Sequence, residues 1–184
     1  MKDLSKLEWT ETDSKVILHT RVFDVTERTS LSPEGKKGTY IVNNAPDWAI
    51  IIPVYEDSFL MVKQWRHGEK KVSIEFPGGV IEKGENIQKG IERELLEETG
   101  AIAKKITKLA EVNPNPALFS NHVHIFCAEE LTFTGKQNLD EDEYLNCIKI
   151  PQEKVISEMG SSEYPHALMM SALFAWLRYK NENK

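Results

Sequence analysis

GVIEKGENIQKGIERELLEETGA, residues 79–101, is the stretch from which the rest of this 184-residue chain can be read. From Asn86 the apolar residues Ile87, Ile91 and Leu95 recur at four-residue spacing, which predicts one buried stripe on a helix that stops near Gly100. The polar side of that helix is crowded: Glu92, Glu94, Glu97 and Glu98 fall within seven positions, with only Arg93 among them as a cation. Carboxylates three or four apart on a helix cost about 0.2–0.5 kcal/mol each, so Glu94 with Glu97 and Glu94 with Glu98 oppose the helix. A hard divalent cation reverses that sign, because Mg²⁺ and Mn²⁺ take oxygen ligands and positions i, i+3 and i+4 present them from one face. A merely solvated acidic face is the ordinary explanation of such a run. The preceding loop weighs against it. Gly78-Gly79 let the backbone approach a ligand closely, Gly84 lets the loop turn, and Glu85 can reach back to Arg93 and fix the loop on the helix. A loop held in this way also has a backbone carbonyl to offer a cation.

Upstream of the helix, residues 71–76 form a short strand ending at Pro77-Gly78-Gly79. Before it, residues 48–55 (WAIIIPVY) and 59–65 (FLMVKQW) make two strands joined across Glu56-Asp57-Ser58. The unbroken apolar run of the first predicts a strand covered on both faces. Further back, residues 15–31 follow a polar start, are rich in β-branched and aromatic residues, and are separated from residues 39–42 by the turn signal Pro33-Glu34-Gly35. They predict an N-terminal antiparallel β segment. Downstream come strands at residues 106–112 and 123–131, an acidic loop at 140–143 and a strand at 144–150. A short helix near residues 151–159 and a longer one after Pro165 close the chain. In the last, Leu168, Ala172, Ala175 and Trp176 share a face, with Met169 and Leu173 alongside, and read as core packing. The expected architecture is an α+β sandwich. Its main domain is residues 47–184, with residues 1–46 as a β segment of the same unit.

The 23 Lys plus Arg against 29 Asp plus Glu give a formal charge of −6, with no basic tract to follow a nucleic-acid backbone. No nucleic-acid partner is expected. An acidic protein with an anionic substrate needs a cation or a few placed arginines to hold it. Cys127 and Cys147 sit in apolar strand-like runs and are too few for a disulfide framework. The first residues lack the apolar core of a signal peptide, and no stretch has the length of a membrane span, so a cytoplasmic setting without membrane contact is the expectation.

Read from Gly79, the chain runs glycine, five residues, Glu85, seven residues, then Arg93-Glu94-Leu95-Leu96-Glu97-Glu98-Thr99-Gly100-Ala101. This resembles the complete signature box of the Nudix hydrolases, nine specified positions over twenty-three residues. Ala101 stands where that family usually has a larger aliphatic residue, a departure that touches packing more than chemistry. The resemblance implies a Nudix-type α/β/α sandwich with a mixed sheet. It also implies a loop-helix-loop that holds Mg²⁺, or Mn²⁺, through Glu94, Glu98 and the Gly78 carbonyl. Glu97 is then a further ligand or a supporting catalytic group, and Gly79, Glu85 and Arg93 are the structural support of the site. By similarity with ADP-ribose pyrophosphatases, Glu143 looks like an additional metal ligand and Glu141 the general base.

Three features outside the box resemble the branch that hydrolyses ADP-ribose and other nucleoside diphosphate sugars. They are Gln64-Trp65-Arg66, whose arginine would grip a phosphate; the lead-in Glu75-Phe76-Pro77-Gly78-Gly79; and Asn113-Pro114-Asn115-Pro116, with Pro116 sixteen residues beyond Gly100. Trp48 and Tyr40 are candidate stacking faces for a base, or core residues. In that branch the N-terminal strands pack across a homodimer, and the apolar N-terminal segment fits such a role. The implied reaction releases a nucleoside monophosphate and a sugar phosphate. The alternatives are a nucleotide-binding sensor with the same fold and a housecleaning hydrolase of nucleoside triphosphates.

Overall fold

The computed structural model describes residues 6–135, 137–139 and 144–183. The stretch at 15–31, which reads as one strand-forming segment, folds as two strands. β1 (Thr10–His19) and β2 (Asp24–Leu31) turn about Thr20, whose hydroxyl accepts from the amides of Val22 and Phe23. β1 starts inside the polar N-terminal stretch because its Thr and Glu residues need ladder hydrogen bonds and no burial: the whole strand is exposed. The Pro33-Glu34-Gly35 turn, closed by the Gly35 amide on the Ser32 carbonyl, leads into β3 (Lys37–Asn44) and completes an antiparallel sheet in the order β1-β2-β3. The chain up to Pro46, together with Asn113–His122, forms one compact unit; Asp47–Val112 and Val123–Lys184 form the other.

The second unit is built on β4 (Trp48–Tyr55), β5 (Ser58–Arg66), β6 (Lys71–Glu75), β7 (Gly78–Val80), helix α1 (Ile87–Thr99), β8 (Ala101–Val112), β9 (Val123–Phe133), β10 (Leu145–Pro151), and helices α2 (Gln152–Glu158) and α3 (Ala167–Glu182). The strands run β10-β5-β4-β9-β8, with β6 on β5 and β7 on β4; β4 and β9 are parallel and the other pairs antiparallel. Period-two alternation along β4 sends Ile50 and Ile52 into one core with Phe59, Met61 and Trp176, and Ala49 and Ile51 into another with Ile91 and Leu95. Helix α1 covers the second face and α3 the first. This unit is thus α+β, a helix-sheet-helix sandwich around a mixed sheet, and the apolar stripe of α3 is core. Leu168, at the edge of that stripe, is only half-buried.

One irregularity of this sheet positions the site. β4 and β5 pair only beside their turn, at Val54↔Phe59 and Tyr55↔Ser58. Beyond it β5 pairs with β6 from Val62 to Arg66, while β4 pairs with β7 from Trp48 to Ile50. The strands diverge, and the chain crosses the gap between β6 and β7 at Phe76-Pro77. Cys127 is buried in β9 and Cys147 half-buried in β10, both as free thiols. Among the described residues no helix is long and apolar enough to cross a membrane.

Candidate active site

Helix α1 starts where the side chain of Asn86 accepts from the Lys89 amide at 3.2 Å, and ends at Gly100, whose φ of 68° is the left-handed conformation that glycine adopts without cost. Burial of Ile91 and Leu95, each contributing about 1.5–3 kcal/mol, fixes the rotation of the helix. That rotation also buries Glu94 (7% exposed) and Glu98 (2%) against β7. The Gly78 amide donates to Glu98 Oε2 at 2.9 Å. A Cβ on Gly79 would stand 2.6 Å from Glu94 Oε1, and one on Gly78 would stand 2.2 Å from the Ala49 carbonyl oxygen. Gly78 is therefore required by space, a side chain at Gly79 would displace the Glu94 carboxylate, and the two glycines bring backbone into contact with both carboxylates.

Arg93 ties this arrangement together. Its guanidinium donates to Glu85 (3.3 and 3.4 Å), to Glu94 Oε1 (2.9 Å) and to Glu97 Oε2 (2.9 Å). Burial opposes its charge, but the surrounding carboxylates outweigh burial and raise its pKa. Glu85, which also accepts from the Glu82 amide, is held below the usual carboxylate range mainly by Arg93. The loop is thereby pinned to the helix, as the spacing of Glu85 and Arg93 suggests.

The donor set of α1 is hard: two nearly buried carboxylates one turn apart, facing glycine backbone. It fits a divalent oxygen-seeking cation in its chemistry. Among the described residues no cluster of three or more His, Cys, Asp or Glu side chains is preassembled for a metal. Glu94 and Glu97 are held by Arg93. Glu141 and Glu143 lie outside the described residues.

A cavity of about 430 Å³ opens at the divergence of β4 and β5. Trp48, Arg66, Glu75, Phe76, Gly78 and His166 are on its wall. Arg66 forks onto Glu75, Nε to Oε1 at 2.8 Å and Nη2 to Oε2 at 2.6 Å. The Glu75 carboxylate is fully buried. Burial pushes the Glu75 pKa up, yet the hydrogen bonds and charge of Arg66 prevail and leave it lowered. The guanidinium in turn is raised, chiefly by Glu75 and also by the charge of Glu98, so Arg66 feels both the fork and one carboxylate of α1.

Two members of this wall carry roles that the sequence does not single out. Glu75 appears there only as part of a lead-in, because its pairing with Arg66 depends on the β5–β6 register. His166 follows Pro165 and is the N-cap of α3, its Nδ1 accepting from the Leu168 amide at 3.2 Å. Its position after a proline at a helix start is a signal for a cap, but not for a place beside Glu75. Trp48 is half-buried on the cavity wall. Tyr40 and Pro116 belong to the N-terminal unit. There Tyr40 is exposed and meets Trp9 edge-on at 5.6 Å, and Pro116 is exposed in a turn closed by the Leu118 and Phe119 amides on the Asn115 carbonyl. His124 is buried, with Nε2 3.0 Å from Asp47 Oδ2, and stands outside the cavity wall.

Residues 45–165 match the NUDIX domain. The chain is 36% identical over 133 residues to the ADP-ribose pyrophosphatase of Bacillus subtilis (strain 168), covering 71% of this chain and 72% of that protein. It is 27% identical over 132 residues to the ADP compounds hydrolase NudE of Escherichia coli (strain K12), covering 70% of each. The crystal structure of an ADP compounds hydrolase shares the fold, with a TM-score of 0.85 over 96% of each chain at 23% identity. With that domain matched over more than half its length and the signature box folded as loop, helix and glycine strand, the chain belongs to the Nudix family.

Proposed function

We propose that this chain is a divalent-metal-dependent pyrophosphatase that cleaves ADP-ribose or a related nucleoside diphosphate sugar into a nucleoside monophosphate and a sugar phosphate. One observation carries the reading: Gly78, whose amide holds Glu98, also lines the cavity whose wall carries the Arg66–Glu75 fork. Gly78 thereby joins the space beside the fixed cation Arg66 to the buried carboxylate of Glu98. The relatives from B. subtilis and E. coli bear the names of ADP-ribose and ADP-compound hydrolases, which agrees with it.

Glu94 and Glu98, with the Gly78 carbonyl and Glu143, are the residues that would hold Mg²⁺ or Mn²⁺. When bound, such an ion neutralises phosphate oxygens and lowers the pKa of a water. The chain's own contribution is preorganisation. Two donors of Arg66 are committed to a buried carboxylate, so its remaining N–H groups meet a phosphate oxygen from a position fixed before substrate arrives. Trp48 offers an aromatic face to the base. Glu97 holds Arg93 and through it the loop. Glu141 remains the preferred base. It lies three residues beyond Asn138, whose amide donates to the Glu97 carbonyl at 3.0 Å, and four before Leu145, which pairs with Gln64. The N-terminal unit is proposed to contribute Tyr40 and Pro116 to substrate binding and to pair two copies of the chain. The exposed Val16, Ile17 and Leu18 of β1 are apolar surface suited to that pairing. Sedimentation that gives only monomer at micromolar concentration counts against the dimer.

The test is a panel with Mg²⁺, its nucleotide products separated by chromatography, over ADP-ribose, UDP-glucose, GDP-mannose, diadenosine polyphosphates and nucleoside triphosphates. ADP-ribose is expected to give AMP and ribose 5-phosphate. Cleavage of triphosphates alone would instead mark a housecleaning hydrolase, and tight binding without cleavage a sensor.

A further inference from the structure

The two ring nitrogens of His166 have different tasks. Nδ1 accepts the Leu168 amide, so it carries no proton and the neutral ring places its single proton on Nε2. That Nε2–H faces Glu75, but at 4.0 Å from Oε2 it is beyond hydrogen-bond reach, and the carboxylate is held where it is by Arg66, which donates to both its oxygens. Among the described residues it has no acceptor. It nevertheless belongs to a residue on a cavity wall. His166 and Arg66 line both the cavity at Gly78 and a second one of about 630 Å³, whose wall carries Trp65, His67 and Ser73. A molecule lying along this wall meets a charged donor and a neutral one side by side.

The surroundings select what the neutral donor accepts. An anionic oxygen at Nε2 would sit beside the buried, ionised Glu75, whose positive partner is the same guanidinium that grips the phosphate. A hydroxyl brings no charge, accepts from Nε2–H and still has a proton to donate. We propose that the Nε2–H of His166 binds a hydroxyl of the sugar carried on the phosphate that Arg66 holds, making His166 a specificity-determining residue for sugar-terminated diphosphates. This rests on the reading of the cavity as a nucleoside diphosphate sugar site.

Two substitutions separate the donor from the cap. His166→Asn keeps an oxygen close to the position of Nδ1 in a favoured N-cap residue and removes the outer donor. His166→Gln carries an N–H close to the position of Nε2 and gives up the short cap. Turnover of ADP-ribose, competitive inhibition by inorganic pyrophosphate and Tm are measured for all three proteins. For His166→Asn the expectation is a near-native Tm, a KM for ADP-ribose raised roughly ten-fold, the size of one lost hydrogen bond, and unchanged inhibition by pyrophosphate. For His166→Gln it is a lower Tm and a KM restored to within about three-fold of wild type. An unchanged KM in His166→Asn, a KM that merely follows Tm, or an equal loss of pyrophosphate inhibition overturns the proposal. If the wild-type protein neither binds nor cleaves ADP-ribose or another nucleoside diphosphate sugar, the functional reading falls with it; if it cleaves them normally and His166→Asn behaves identically, the inference about His166 falls alone.

Discussion

Glu98 is 2% exposed and accepts the Gly78 amide, so it is both a metal ligand candidate and a joint between α1 and β7. Glu98→Gln keeps an acceptor for that amide and loses the charge. Turnover is expected to drop at least about 100-fold while Tm moves by only a few degrees; wild-type turnover in this variant would mean the metal is held elsewhere. The cavity wall predicts how stability depends on pH. His166 is lowered from 6.5, by burial more than Glu75 raises it, and Glu75 is lowered from 4.5 because Arg66 outweighs burial. In each case the folded protein resists protonation more than the unfolded chain does. The stabilisation is therefore present above the unfolded value and is lost as pH falls through the folded one. Denaturation at stepped pH should show stability level near neutrality, declining first below 6.5 and again below 4.5. The second decline should shrink in Glu75→Gln. A stability curve that rises on acidification would contradict these signs.

At the scale of elements, helix α1 was legible to its caps: Asn86 and Gly100 bound it as their residue types require, and its stripe is buried as the period demands. Its glycine at position 90 has a purpose that periodicity does not reveal. A Cβ there would stand 2.8 Å from Glu85 Oε2 and 2.8 Å from Ile81 Cδ1, so the bare backbone is the seat of the loop. Gly90→Ala should gain helix propensity yet destabilise by about 1–3 kcal/mol through overpacking, and lower turnover by displacing Glu85 from Arg93. A chemical denaturation midpoint at or above wild type would show that the loop yields freely. The strands were less legible at their ends. β8 starts at Ala101, directly after the helix cap, rather than at 106, since pairing with β9 extends over polar residues that show no apolar alternation. The division of residues 15–31 was hidden because Thr20 makes its turn through side-chain hydrogen bonds, without glycine or proline.

For the whole molecule, the formal charge of −6 and the unfavourable crowding on α1 make stability a reporter of metal. Mg²⁺ or Mn²⁺ at about 100 times its dissociation constant should stabilise by roughly 2.7 kcal/mol, a rise in Tm of roughly 5–10 °C that a chelator reverses. A Tm indifferent to both would mean that Gln88, Arg93 and the Gly78 amide, with no metal, hold the glutamates of α1. The order of residues was enough for the helix and its two ends, the loop, the Glu85–Arg93 pairing and the family, because each depends on residues within a few turns of one another. It took the folded chain to reveal that β4 and β5 part to open a cavity, that Arg66 is locked by Glu75, and that the cap of α3 lies 4.0 Å from that carboxylate. Distance along the chain is not what hides them, since Arg66 and Glu75 stand nine residues apart, about as near as Glu85 and Arg93; they meet across two strands instead of along one helix, and strand register and core packing, which bring His166 there too, follow no local pattern.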